Sequence, residues 1–143
     1  LLNVADEAEG IAYDKAFDKI IETLALMHSK GIFLVPGTDL GGAFALHREL
    51  ELFTKIGMSN GEALRRGSYD MANYLGYGKQ LGSIEAGKLA DFFLIPGDPI
   101  EDLKAIKTIS MVAKGGAIYF PSELYPEFGV KPFTTAPKVF EAK

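Results

Sequence analysis

A chain of 143 residues with a formal charge of −4 can bury one hydrophobic core and carries no basic excess, which argues against nucleic acid and anionic membranes as partners. No apolar run approaches the roughly 18 residues of a membrane-spanning helix, and the lack of cysteine excludes thiolate metal sites, disulfides and a cysteine nucleophile. Hydrophobic residues make up 48% of the chain and mean hydropathy is +0.10, the excess expected where apolar surface packs on segments outside the chain.

The sequence starts Leu1-Leu2-Asn3 without Met, so a natural start upstream is expected, and composition does not choose between a cytoplasmic and an exported protein. Residues 1–10 are acidic and show no period. From Tyr13 to Lys30, Phe17, Ile20, Ile21, Leu24 and Met27 or His28 recur at three and four, which predicts an amphipathic helix. Gly31 suits its C′ position, and His28 and Lys30 fall in a last turn that favours cations.

Ile32 to Val35 is a continuous apolar run, predicting a short buried strand that Pro36 ends. A helix handing over through one glycine to such a strand is the αβ step of a parallel sheet. Asp39 then stands at the strand's C-terminal end, before a Gly41-Gly42 turn, where α/β folds place ligands and catalytic groups. The plainer alternative is that Asp39 caps the helix that follows.

That helix is predicted over Phe44 to Ile56, with Leu46, Leu50 and Phe53 on one stripe and Leu52 and Ile56 beside it. His47 lies one turn in, near enough in sequence to approach a ligand held at Asp39, or else to bond a neighbouring carbonyl or carboxylate. Ser59 and Glu62 match a capping box at the start of a third helix. Ala63, Leu64, Met71 and Leu75 are expected to face inward there, with Gly67 and Ser68 admitting a close neighbour.

From Leu81 the chain turns glycine-rich, and Phe92 to Ile95 predicts a strand stopped by Pro96-Gly97-Asp98-Pro99. Glu101 to Ile106 suits one helical turn. Ile109 to Ala113 and Ala117 to Phe120 flank Lys114-Gly115-Gly116 as a hairpin, and the proline-spaced stretch from Pro121 reads as an extended tail. The change of character sets a boundary near Tyr77 to Gly82, dividing residues 1–78 from 79–143.

Four motifs now stand in order: Gly37-Thr38-Asp39, Leu46-His47-Arg48-Glu49-Leu50, Glu62-Ala63-Leu64, and Leu81-Gly82-Ser83-Ile84-Glu85-Ala86-Gly87-Lys88-Leu89-Ala90-Asp91. Together they resemble the C-terminal portion of the metal-dependent amidohydrolase superfamily, in its imidazolonepropionase-like and prolidase-like branch, over residues 13 to 120. The resemblance implies an α/β fold: the C-terminal part of a (β/α)8, TIM-like barrel over residues 1–78, then the C-terminal half of a small β-sandwich over 79–143.

It implies hydrolysis of an amide, dipeptide or cyclic amide C–N bond by metal-activated water. Asp39 would be both a ligand at the metal site and the proton acceptor and donor, with His47 a candidate substrate contact. The implied cofactor is a divalent metal, zinc first, most of whose ligands lie outside this chain, because only His28 and His47 are present and no His-x-His pair exists. The expected partners are a small amide or peptide substrate, a missing N-terminal segment or companion chain, and a second copy in a homo-oligomer. Ser83, Glu85, Lys88 and Asp91 are read as turn and packing residues. The competing reading is a non-catalytic binding or assembly module that shares the fold segment.

Overall fold

The computed structural model describes residues 4–39 and 44–140; the Gly41-Gly42 turn predicted after Asp39 lies outside them. Helix α1 runs Glu7–Ser29, six residues earlier than the hydrophobic period suggested. Its start is set by polar groups: the Asp6 side chain accepts from the Glu9 N–H at 2.9 Å, and Glu9 Oε2 accepts from the Ala5 N–H. An Asp followed three residues later by Glu is an N-terminal signature that an apolar count cannot see. Gly31 takes φ 75° just past the helix, as its C′ role requires.

Helix α2 covers Ala45–Lys55 and α3 Asn60–Arg65; a π-helical turn, Arg66–Asp70, leads into α4, Met71–Tyr74. The capping box at Ser59 and Glu62 is complete in both directions. Gly67 sits against Leu50, whose Cδ2 would lie 3.1 Å from any added Cβ, so the predicted close approach is present. The core is built from Leu50, Phe53, Ile56, Met58, Ala63, Leu103 and Ile106, with Ile21, Leu24, Ala25, Leu34 and Leu64 packed on its margin. Each fully buried Leu, Ile, Phe or Met side chain contributes about 1.5–3 kcal/mol. Two expected inward positions are not inward: Leu46 is 42% exposed and Leu75 63%.

The sheet is antiparallel, with β1 Phe92–Leu94, β2 Met111–Lys114 and β3 Ala117–Tyr119 in the order β1-β2-β3. Phe93 pairs with Val112 and Ala113 with Ile118 across the two ladders. Gly115 and Gly116 turn the predicted hairpin at φ 58° and 81°. A 3₁₀ turn at Leu103–Lys107, two residues later than predicted, drops Leu103 and Ile106 into the core against α2. The expected extended tail instead starts with α5, Pro121–Leu124, and a 3₁₀ turn, Tyr125–Phe128. Pro121 at the first helical position explains this, since its missing N–H is not needed there. The tail's Tyr125 and Phe133 rings pack on Phe44, with centroids 6.0 and 5.5 Å away, at the start of α2.

Candidate functional site around Asp39

The segment Ile32 to Val35 is not a strand. Among the described residues it joins no ladder and the sheet is wholly antiparallel, so the predicted parallel step is absent. Ile32, Phe33 and Val35 are exposed. The physical reason is that an apolar run becomes a strand only by pairing, and no described strand lies beside it. Side chains take over that work. Arg66 Nη1 donates to the Leu34 carbonyl at 2.7 Å, its guanidinium lies 4.0 Å from the Phe33 ring centroid, and its Nε bonds Asp70 Oδ2 at 3.1 Å. Further along, the Gly37 N–H donates to Glu49 Oε1 at 2.8 Å.

Asp39 is exposed and has φ 44°, the one positive value outside glycine among the described residues. That region costs an L-residue about 1–2 kcal/mol, less for Asp, whose short side chain bonds locally. Asp39 does not cap the next helix: Phe44 is the N-cap residue of α2, and it makes no side-chain cap bond. The helix-cap alternative is thereby set aside, and the carboxylate is left at the end of the apolar segment.

His47 lies one turn into α2, partly buried, 5.7 Å from the Phe44 ring. Its Nδ1 is buried without a hydrogen-bond partner, so the carbonyl or carboxylate bond considered for it is not made by that atom. Burial holds the imidazole pKa below its ordinary value. The Lys107 charge pushes the same way and the Glu51 carboxylate opposes. The ring is therefore neutral at physiological pH. It borders a ≈ 310 Å³ cavity whose other walls include Leu46, Leu50, Phe93 and Ile106. Among the described residues no hydrogen bond or ion pair joins His47 to Asp39.

Glu51 and Glu49, on the same helix, are used differently. Glu51 bonds Lys107 and Arg48, and the Lys107 hydrogen bond holds its carboxyl below the usual carboxylate range. Glu49 spends one oxygen on the Gly37 amide, while Oε2 is buried and unpaired. Sequence reasoning missed this bond, because nothing in a helical period reveals which loop amide lies opposite Glu49.

The later polar residues are turn builders, as expected. Ser83 bonds Glu85, Lys88 pairs with Glu85 at 3.2 Å, and Asp91 Oδ1 accepts from the Gly115 N–H at 2.9 Å. At Gly82, φ is 92° and an added Cβ would stand 2.6 Å from the Ala72 Cβ, so glycine is required where this passage crosses α4.

Comparison with known proteins gives the order of these motifs its meaning. The amidohydrolase family model matches residues 12–119, most of the chain, and this protein belongs to that family. Within the metal-dependent amidohydrolase superfamily it falls in the prolidase-like branch. It is 32% identical to a Xaa-Pro dipeptidase solved with methionine bound in its active site, at a TM-score of 0.65 over 71% of this chain and 25% of that one. A prolidase-type structure from Bifidobacterium longum is 30% identical, at a TM-score of 0.63 over 84% of this chain and 28% of the other. Molinate hydrolase, at 24% identity and a TM-score of 0.63, shares the fold over 84% of this chain and 30% of its own. No curated protein sequence matched. The chain thus spans between a quarter and a third of the length of these solved relatives.

The family generally uses divalent metals, and the donor set here does not fit one. Among the described residues no group of three or more His, Asp or Glu side chains could hold a metal ion. Asp39 offers one exposed carboxylate, fewer ligands than a structural or catalytic zinc site requires. Also among the described residues, no helix is long and apolar enough to cross a membrane.

Proposed function

We propose that this chain is the C-terminal portion of a prolidase-like amidohydrolase that hydrolyses an amide, dipeptide or cyclic amide C–N bond, and that Asp39 is the reactive group it contributes. Residues 1–78 would complete the barrel, where Ile32 to Val35, unpaired among the described residues, would become the last strand only by pairing with segments outside this chain, and 79–143 would supply half of a β-sandwich. The exposed Ile32, Phe33 and Val35 side chains support this reading, because a central barrel strand would have both faces covered. So does α1, in which no residue is buried and Ile20 and Leu26 are 57% and 59% exposed.

The observation that carries the role of Asp39 is its φ of 44°, four residues after the apolar segment ends at Val35 and within the family match. A non-glycine residue persists there only where its surroundings hold it, and such residues cluster at reactive sites. In the reaction, water adds to the amide carbonyl carbon and gives a proton to the Asp39 carboxylate. The C–N bond then breaks as that proton passes to the leaving nitrogen, giving a carboxylic acid and an amine. Most of the divalent metal's ligands would come from chain outside Leu1–Lys143, with Asp39 the one supplied here, and His47 would line the substrate side of the site.

The test is made on the full-length gene product, with bound metal measured alongside Asp39→Asn. Divalent metal in both proteins, with hydrolysis lost only in the variant, is the expected result. A metal-free full-length protein, or wild-type turnover by Asp39→Asn, would overturn it in favour of a binding module.

A further inference from the structure

We infer that Glu49 is a positioning residue for Asp39, acting through the Gly37 amide. The inference rests on the role proposed for Asp39. Gly37 lies two residues before Asp39 and follows Pro36, whose ring fixes its own φ. Gly37 itself is unrestrained by packing, since an added Cβ would meet nothing within 4 Å. It is therefore the loose joint between a rigid proline and the left-handed Asp39. The Glu49 Oε1 bond to its N–H, at 2.8 Å, is a restraint at that joint.

The state of Glu49 argues that this is its main role. Its neighbour Arg48 turns to Glu51, at 3.0 Å, and not to Glu49. Glu49 Oε2 is buried and unpaired, an arrangement that costs stability. A carboxylate kept for surface charge would be paired or solvated. This one is held in a ≈ 250 Å³ recess bordered by Gly37, Thr38, Ala45, Arg48 and Leu52, with its one hydrogen bond directed at the backbone two residues before Asp39. Glu49 touches no reacting atom; it sets where the next carboxylate points.

Two variants separate an acceptor from a charge. Glu49→Gln keeps an oxygen for the Gly37 N–H, whereas Glu49→Leu removes it. In the full-length protein, amide exchange at Gly37 should rise roughly tenfold in Glu49→Leu and stay near wild type in Glu49→Gln, the size expected for one net hydrogen bond. The Asp39 amide resonance should move only in Glu49→Leu. In the full-length hydrolase, Glu49→Leu should lower kcat by about tenfold to a hundredfold at little change in KM, with Glu49→Gln restoring it. Equal Gly37 exchange in wild type and Glu49→Leu overturns the inference. So does an unchanged kcat in Glu49→Leu, or a Glu49→Gln variant as impaired as Glu49→Leu. If the full-length wild type hydrolyses no amide, the Asp39 reading fails by itself, while Gly37 exchange still decides whether Glu49 holds the joint.

Discussion

Two stretches of this chain carry the same strand signal, a short apolar run closed by proline and glycine, and they end differently. Phe92 to Leu94 pairs with Met111 to Ala113 through a backbone ladder, and β3 extends it. Ile32 to Val35 pairs with nothing described and is tied down by Arg66 and Glu49 side chains instead. The difference teaches that an apolar run records a demand for burial on two faces, while a strand also needs a neighbour's N–H and C=O groups. The first stretch finds its neighbour within this chain, in β2 beyond the Leu103–Lys107 turn. The second, in the reading proposed above, finds its neighbours outside this chain.

The sharpest way to break the comparison is at Asp39, since only the unpaired stretch should carry chemistry. Asp39→Asn in the full-length hydrolase should lower kcat by about 10²–10⁴-fold, the range for one proton-transfer group, with circular dichroism unchanged. Asp91, the aspartate that leads into the paired stretch and bonds the hairpin turn, serves as the control. Asp91→Asn should leave kcat within about twofold, because its carboxylate has a structural partner and no reacting one.

Stability should divide along the same line. Phe53, 7% exposed at the centre of the core, joins α2 to the 3₁₀ turn that precedes β2. Phe53→Ala should cost about 3–5 kcal/mol in urea unfolding and loosen both stretches together. Arg66→Ala should cost less, about 1–3 kcal/mol, by leaving the Leu34 carbonyl and Asp70 short of a partner. Its signature is local: hydrogen exchange should accelerate over residues 32–37 and leave β1 to β3 unaffected. Uniform acceleration would show that the side-chain ties and the ladder open as one unit.

The smallest effect is a pH dependence. Burial lowers the folded pKa of His47 below the unfolded value, about 6.5. The unfolded chain then binds more protons just below that value, so the His47 contribution is complete above pH ~6.5 and shrinks as the pH falls through it. Glu51, depressed by its hydrogen bond to Lys107, loses its own contribution only in the more acidic carboxylate range. Thermal midpoints of wild type and His47→Gln between pH 7 and 5 should converge; parallel curves would remove His47 as the source.

Local chemistry was legible in the sequence. The Ser59 and Glu62 box, the Gly115-Gly116 turn and the Gly31 helix end each depend on residues within four positions of one another, and each is present. The core stripe of Leu50 and Phe53 was legible by period, but Leu46 and Leu75 were not correctly placed, because helical phase does not say where a neighbour stops. The π-helical turn at Arg66–Asp70 left no pattern to read. Asp39 was singled out as a candidate from its place after an apolar run. Arg66 and Glu49, which hold that run, were not, since their partners are carbonyl and amide groups that every residue shares.

The ring contacts of Phe44 with Tyr125 and Phe133 also govern the order in which this molecule comes together. Helix α2 begins at Phe44 without a capping side chain, so its first turn leans on rings from the far end of the chain. Contacts between residues so distant in sequence close late, after the loop entropy between them has been overcome. The α2 start should therefore be the last part of the fold to lock and the first to open.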